Sequence, residues 1–253
     1  MNLKRSDAFR AQGFVLRRHD LGEADRILTL FTRTQGKRRV VARGVRRPKS
    51  RLAGHIELFS LVDTYMVVGT NLDLLSQATA ITTYNELATD LERFAYASCA
   101  AETLDRLTPE GEADRYLFDT FETTLERISK GERPSLHLRH FELLMLSRCG
   151  YRPHLTTCVE CGDSLEESTT RFAPAAGGVV CSTCQIDSRS IQVSPRGLKS
   201  LRWLLDAEPG SAARLRTDHQ LDRELESLLG AYRKSVLGSE LRSAELLERI
   251  RSI

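Results

Sequence analysis

The most distinctive chemistry-bearing residues of this chain form two C-x-x-C pairs separated by nineteen residues: Cys158, Cys161, Cys181 and Cys184. A C-x-x-C turn points two thiolates at one centre, and a second such turn alongside it completes a tetrahedral shell of four sulfurs. That donor set suits Zn²⁺. Gly162 and the pair Gly177-Gly178 allow tight turns close to the cysteines. The alternative is a set of disulfides or free thiols. The spacing predicts one structural Zn²⁺ per chain, with no open position for a catalytic water.

The other two cysteines and the hydropathy pattern indicate a reducing compartment. Cys99 lies in an apolar helical stretch and Cys149 precedes Gly150, so both are predicted to be small core residues. The first seven residues are polar and lack the apolar segment of a secretory signal. The longest aliphatic or Met run, at 143–146, is far too short to span a bilayer. We therefore expect a soluble cytoplasmic protein.

A net charge of +3 hides an uneven distribution of charge. Residues 1–80 contain 15 Lys or Arg and 7 Asp or Glu, whereas the remaining residues have an acidic excess. Between residues 26 and 56 there are ten basic residues and no acidic one. Such a surface attracts a polyanion, although a solvated basic face without a partner is the alternative. The predicted polyanion-binding residues are the eight basic side chains of this run's densest part: Lys37, Arg38, Arg39, Arg43, Arg46, Arg47, Lys49 and Arg51.

The pattern of the first 80 residues or so predicts β-strands. Apolar or β-branched runs occur at 13–19, 26–32, 37–43, 58–68 and 71–81, and Gly36 provides a hairpin turn between the second and third. Five strands with a basic loop are typical of a small barrel such as the OB-fold, and an SH3-like barrel has a similar pattern. The prediction is an α+β protein of several domains that starts with an OB-fold domain at 1–82, which contains the basic run.

From about Glu86 the apolar period becomes helical. One helix is predicted to include residues 87–107, a second 116–128, and a third from Pro134 to Gly150. The Cys₄ ribbon at 155–190 is followed by helices that start at Ser194-Pro195, a good N-cap and first-turn pair. The prediction is an all-α domain over 83–253 that contains an inserted zinc ribbon.

The sequence lacks a credible active site. Pro48 stands where a phosphate-binding loop requires Gly, and the H-x-E at His55-Ile56-Glu57 is a whole domain away from the cysteines. There is no G-x-S-x-G and no H-E-x-x-H. His137 and His140 share a helix face, and a surface or capping role is predicted for them. We therefore predict that the protein is not an enzyme.

Several blocks of this sequence resemble the RecO family of bacterial DNA repair and recombination-mediator proteins. In the barrel region these are Gly22-Glu-Ala-Asp-Arg-Ile-Leu-Thr-Leu-Phe-Thr32, Gly36-Lys37, Val41-Ala-Arg-Gly-Val-Arg-Arg47 and Ser50. Later blocks are Leu138-Arg-His-Phe-Glu-Leu-Leu144, Gly150-Tyr-Arg-Pro153, Phe172, Gly177-Gly178 and Cys181-Ser-Thr-Cys184, which resemble the zinc-bearing members. The resemblance spans residues 13 to about 186, and the helical tail beyond is similar but less specific.

The resemblance implies a function as well as a fold. It implies binding of single- and double-stranded DNA, annealing of complementary strands, and loading of RecA, together with RecR, onto single strands coated by single-stranded-DNA-binding protein. A location at the nucleoid would follow. In the family the acidic C-terminal tail of the coating protein docks on the helical domain, and the basic residue of the L-R-x-F-E block contributes. That position is Arg139 here, with Leu138, Phe141 and Leu143 expected to line an apolar slot.

A zinc-ribbon RNA-binding or transcription-associated protein with the same barrel is the alternative. The residues themselves show no base-specific reader, so the predicted binding is largely independent of sequence. A competition between matched DNA and RNA oligonucleotides separates the two functions.

Overall fold

The computed structural model describes residues 8–165, 170–184 and 189–252. Its N-terminal part is a closed barrel in the strand order β1-β2-β3-β5-β4, which confirms the predicted OB-like barrel. The strands are β1 (Ala8–Leu21), β2 (Asp25–Thr32), β3 (Gly36–Ala42), β4 (Leu61–Val67) and β5 (Asp73–Thr82). Every neighbouring pair is antiparallel except β3 with β5, which is parallel.

The alternation of side chains along the β2–β3 hairpin decides which residues reach solvent. Leu28 and Leu30 on β2, with Val40 on β3, point into the barrel core. Arg39, which pairs with Thr29 across the hairpin, lies on the opposite face and is exposed. The period of two therefore explains how an apolar strand can carry exposed arginines.

One outer face of the barrel packs against the helices. Phe14 and Phe31 lie in the same core as Phe118 and Phe121, and the rings of Phe14 and Phe118 are 5.0 Å apart. The turn of the β2–β3 hairpin also packs closely against the segment that follows α2. A Cβ on Gly36, whose φ is +62°, would lie 2.1 Å from the carbonyl oxygen of Glu112, so only glycine fits there.

The C-terminal part is helical. Its helices are α1 (Asn85–Thr89), α2 (Leu91–Leu107), α3 (Arg115–Ser129), α4 (Pro134–Arg148), α5 (Pro195–Asp206), α6 (His219–Leu237) and α7 (Arg242–Arg251). The single helix predicted over 87–107 is wrong, because Asp90 is extended and its carboxylate caps α2 by accepting from the Arg93 N–H at 3.0 Å. Ser194 caps α5 as predicted, accepting from the Gly197 N–H.

Helix α4 is buried on every side and joins two apolar cores. Leu138 and Phe141 belong to the core shared with α2, α3, α7 and the barrel, whereas Leu143 belongs to the core shared with α5 and α6. The predicted surface role of His137 and His140 is therefore wrong, since each is only 2% exposed. The capping alternative fits His140, whose Nε2 lies 3.0 Å from the carbonyl oxygen of Ala207, the C-cap residue of α5. The helix they share has no solvent face.

A three-stranded ribbon is inserted between α4 and α5. It consists of β6 (Thr170–Ala173), β7 (Gly178–Val180) and β8 (Ile191–Val193), with β6 in the middle. The Phe172 ring packs edge-on against Tyr232 of α6 at 5.4 Å, and the Tyr232 hydroxyl donates to the Tyr151 carbonyl at 3.0 Å. Parts of the predicted ribbon (166–169 and 185–188) and of the predicted barrel domain (1–7) lie outside the described residues.

Within the ranges given above, no helix combines the length and the apolar character that a membrane span requires. Cys99 is buried as predicted and Cys149 is half-buried.

Candidate metal centre and nucleic-acid interface

The four ribbon cysteines converge on one point. The Sγ atoms of Cys158, Cys161, Cys181 and Cys184 all lie within 4.8 Å of one another. The Sγ atoms of Cys158 and Cys184 are 3.9 Å apart and those of Cys161 and Cys181 are 3.8 Å apart. A disulfide would need about 2.05 Å. Sulfurs at about 2.3 Å from a tetrahedral Zn²⁺ would be separated by about 3.8 Å, so the geometry fits a tetrahedral metal ion.

Backbone hydrogen bonds shape the first C-x-x-C turn. The Gly162 N–H donates to the Cys158 carbonyl at 2.9 Å, and Gly162 has a φ of +79°. The turn is tied to β7, because the Val159 N–H donates to the Val179 carbonyl at 3.0 Å. Gly178 allows this approach, since a Cβ there would lie 2.6 Å from the His154 carbonyl oxygen. Glycine at 178 thus brings the two cysteine pairs together.

The two thiols of the second pair differ, because side-chain hydrogen bonds with Cys181 and then Cys161 raise the pKa of Cys184, whereas the pKa of Cys181 is lowered. The Thr183 hydroxyl lies 3.0 Å from the Sγ of Cys181. Hydrogen bonding by this hydroxyl, and then by the backbone N–H groups of Thr183 and Cys184, lowers the pKa of Cys181 to about 6. A thiolate at neutral pH is the form that coordinates a metal ion.

The eight basic residues predicted to bind DNA fall into two groups, and three of them have partners within the chain. Lys37 is nearly buried, and its Nζ lies 3.2 Å from the Asp105 carboxylate and donates to the Thr108 carbonyl at 2.7 Å. Arg38 donates to Asp73 at 2.9 Å. These contacts place Lys37 in the interface between the barrel and the helical part.

Arg46 is the third engaged residue. It donates to the Gly22 carbonyl at 3.0 Å and lies 3.5 Å from the Asp20 carboxylate. The same carboxylate accepts from Arg26 Nε at 2.9 Å. The hydrogen bond from Arg26 is the main cause that lowers the pKa of Asp20, and the charges of Arg46 and Arg18 add to it.

The other five basic residues are exposed, and their side chains have no hydrogen-bond or ion-pair partner among the described residues. They are Arg39, Arg43, Arg47, Lys49 and Arg51. Four of the five lie in the connection between β3 and β4, at residues 43–60. We call this connection the basic loop.

The basic loop is ordered by its own contacts. Val45 is buried in the barrel core. The Gly44 N–H donates to the Asp25 carboxylate at 2.7 Å and the Arg46 N–H donates to the Ala24 carbonyl at 2.9 Å. The Ser50 N–H donates to the Arg47 carbonyl at 2.9 Å. The loop therefore presents its free charges in a fixed arrangement against the β1–β2 turn.

Arg139 lies in the helical part and is almost completely buried. Its two terminal nitrogens donate to Glu142 at 2.7 Å and to Glu226 at 2.8 Å. Leu138, Phe141 and Leu143 are fully buried in the two cores. The predicted apolar slot formed by these three side chains is therefore wrong, and any ligand of Arg139 would have to reach it from the side of α6.

Comparisons with known proteins decide the family. A family model described as "Recombination protein O N terminal" matches residues 6–84, and one described as "Recombination protein O C terminal" matches residues 88–245. The chain belongs to the RecO family.

A DNA repair protein RecO from Roseiflexus sp. (strain RS-1) is 38% identical over 250 residues, which cover 98% of this chain and 88% of the relative. A DNA repair protein RecO from Symbiobacterium thermophilum is 36% identical over 248 residues, which cover 96% of this chain and 98% of the relative. One from Dehalococcoides mccartyi (strain CBDB1) is 30% identical over 243 residues, covering 96% of each chain.

Membership of the RecO family agrees with the resemblance drawn from the sequence blocks. The structure brings the four cysteines together and divides the basic residues into free and engaged sets. Sequence reasoning missed Asp105, which pairs with Arg17 at 3.0 Å as well as with Lys37. Arg33 likewise pairs with Asp119 across the same interface. The one signal in the sequence was the acidic excess of the helical part, which does not identify individual partners.

Proposed function

We propose that this RecO-family chain is a non-enzymatic DNA-binding recombination mediator in DNA repair. It binds single- and double-stranded DNA, anneals complementary strands, and with RecR helps to load RecA onto strands coated by single-stranded-DNA-binding protein. The observation that supports this most is the basic loop, in which the exposed side chains of Arg43, Arg47, Lys49 and Arg51 have no internal partner among the described residues. The DNA-binding domain would be residues 1–82, and the helical domain 83–253 would receive protein partners.

The mechanism is electrostatic. Arg43, Arg47 and Lys49 would neutralise phosphates and release condensed counterions, which makes affinity fall as salt rises. Because these residues project from a fixed loop, they hold a strand without reading its bases. Charge neutralisation also lowers the repulsion between two complementary strands. Annealing then requires only that both strands stay close long enough to pair.

Salt-dependent binding tests this proposal. Labelled single-stranded and duplex DNA are titrated with wild type, with R43E/R47E/K49E, and with R223E/R242E/R249E. The control triple changes net charge equally at exposed side chains of α6 and α7 that have no ion-pair or hydrogen-bond partner among the described residues. The loop triple should lose affinity and the control triple should keep most of it. Equal losses in the two triples would contradict binding at the loop. Tighter binding of a matched RNA would favour the RNA-binding alternative.

The metal is proposed to be Zn²⁺, one per chain, held by the four ribbon cysteines. A closed shell of four thiolates binds zinc for structure rather than catalysis. Protein purified without added metal and kept reduced should contain about one zinc per chain by elemental analysis. Cys158→Ser should lose the metal and destabilise the ribbon, whereas Cys149→Ser should keep it. A zinc content near zero in the wild type would overturn the assignment.

The partner functions need their own assay. Annealing of strands coated by single-stranded-DNA-binding protein is measured with and without RecR, followed by RecA filament formation. The loop triple should fail in both steps, because both require the chain to hold DNA. Stimulation by RecR that is lost only in variants of the helical domain would show that partner binding and DNA binding are separate.

A further inference from the structure

Trp203, the sole tryptophan of the chain, lies on the surface. It belongs to α5, whose side chains Leu198, Leu201 and Leu204 are buried in the second core. The Trp203 side chain points away from that core and is 38% exposed. Burying an indole is strongly favourable, so a helix with a well-formed apolar face gains no stability from leaving one in water. A single exposed apolar side chain is common on protein surfaces, so only the groups that surround the indole can indicate a ligand.

The indole lines an open cleft of about 440 Å³ at the C-terminal end of α5. Arg202 and Arg214 line the same cleft, together with Asp206 and Glu208. The Arg202 Nε donates to the Leu155 carbonyl at 2.8 Å, which holds this guanidinium in place beside the indole. The cleft thus combines an aromatic surface with two cations, one fixed and one exposed.

Two cations and two carboxylates line the cleft, and further cations lie close to it along the chain. Arg214 and Arg216 are exposed on the segment after α5, and Lys199 is exposed one turn before Trp203. Neither Lys199 nor Arg214 has a side-chain partner among the described residues. Of the two acidic groups, Asp206 pairs with Arg152 at 2.7 Å. Glu208 is the one carboxylate left to oppose this set of cations.

We propose that the α5 surface is a second nucleic-acid site, which binds single strands. Trp203 would stack on an unpaired base, while Lys199 and Arg214 would neutralise the neighbouring phosphates. An aromatic face beside basic side chains suits single strands, whose bases are free to stack whatever their identity. The base pairs of a duplex offer no such free face. The site rests on the proposed DNA binding and deepens it, because annealing benefits when a second strand is held apart from the basic loop.

The intrinsic fluorescence of Trp203 tests this directly, since the emission of the chain's one indole reports on this surface alone. Titration with an oligothymidylate should quench the emission. A duplex of equal length and inorganic polyphosphate should quench it little, because neither offers an unpaired base. The loop triple R43E/R47E/K49E should retain the quenching, since its substitutions lie in the barrel.

Variants are compared in the loop-triple background, where binding at α5 dominates. Trp203→Ala should weaken binding of labelled oligothymidylate about tenfold, in line with the usual contribution of one stacked base, and Trp203→Phe should restore much of it. K199E/R214E should also weaken it, whereas the exposed double substitution R223E/R249E, which changes the net charge equally, should not.

The outcomes separate this site from the proposed function. If oligothymidylate binds the wild type by anisotropy but leaves Trp203 emission unchanged, the α5 site is wrong and binding at the loop stands. Equal quenching by polyphosphate would also overturn it, because the surface would then be a general anion site. Quenching that disappears in the loop triple would mean that only one site exists. If oligothymidylate neither binds nor quenches, both proposals fail.

Discussion

The basic loop and the centre of the helical part both concentrate arginines, but they use them in opposite ways. In the loop, Arg43 and Arg47 are exposed and no carboxylate of the described residues pairs with them. In the helical part, Arg139 and Arg233 are almost fully buried and both donate to Glu142, which is itself completely buried. Arg233 also pairs with Glu240 at 2.6 Å.

The network continues through α6 to α7. Glu226 accepts from Arg139 with one oxygen and from Arg251 with the other, at 2.8 and 2.6 Å. Burial alone would raise the pKa of Glu142, but the charges of Arg139 and Arg233 outweigh it and lower that pKa. The comparison shows that an arginine is free for a polyanion only where the fold keeps carboxylates out of reach. The network arginines serve the fold, whereas the loop arginines remain available.

The largest effect is expected where the network is broken. Glu142→Gln would leave Arg139 and Arg233 buried without their shared counter-charge, so the free energy of unfolding should fall by about 3–5 kcal/mol. Urea unfolding measures this. Glu245→Gln, at an exposed carboxylate of α7, should change the free energy by less than about 0.5 kcal/mol. Similar small changes in both variants would mean that the network does not support the fold.

The next effect concerns pH and the buried histidine beside the network on α4. Burial, followed by the positive charges of His140 and Arg127, lowers the pKa of His137 to about 4. The unfolded chain, with an ordinary histidine pKa of about 6.5, therefore binds the proton more readily. Stability is fully present above about pH 6.5 and is lost as the pH falls toward 4, by up to about 3 kcal/mol.

Comparing variants isolates this contribution from that of other titrating groups. Unfolding is followed between pH 7 and 4.5 for wild type, His137→Gln and the exposed control His219→Gln. The pH dependence should be shallower in His137→Gln and unchanged in His219→Gln. If the free energy of unfolding depended on pH in the same way in all three proteins, the fold would not lower the pKa of His137.

Substitutions in the basic loop should have the reverse effect. They should change DNA affinity and leave the free energy of unfolding almost unchanged. R43A/R47A/K49A should leave the free energy of unfolding within about 0.5 kcal/mol of wild type, because these side chains are exposed and unpaired. The salt slope of binding to duplex DNA should become shallower by about 2–3, or about 0.9 for each phosphate that the variant no longer neutralises. A large loss of stability would mean that the loop arginines have structural partners after all.

The smallest effect tests whether a network arginine can also bind a partner. If Arg139 anchors the acidic tail of the single-stranded-DNA-binding protein, that carboxylate must compete with Glu226, the more exposed of its two partners. Glu226→Gln should then raise affinity for a tail peptide about fivefold, roughly the net value of one typical hydrogen bond, about 1 kcal/mol. The control is Glu245→Gln, at an exposed carboxylate of α7 that has no side-chain partner among the described residues. Unchanged or weaker peptide binding in Glu226→Gln would argue against Arg139 as the anchor.

Local patterns predict well wherever neighbours along the chain do the positioning. The alternation in 37–43 predicts β3, Pro134 predicts the start of α4, and the C-x-x-C spacing predicts the sulfur cluster. The strand follows from a period of two, the helix start from the fixed φ of proline, and the sulfur cluster from two short turns. The break at Asp90 is not predicted because the apolar period continues across it, and only the capping hydrogen bond ends the pattern.

The partners of charged residues are predicted poorly from local patterns. Lys37 shares the basic run of its neighbours, yet the fold turns it toward Asp105, 68 residues away in the chain. The spacing of His137 and His140 defines a helix face, but spacing does not say what covers that face. The sequence alone determined the strand pattern, the four-cysteine cluster and the site of basic excess, because each depends on contacts among near neighbours. Only the tertiary structure decided which charges are neutralised, because electrostatic pairing and burial depend on distances between residues far apart in the chain.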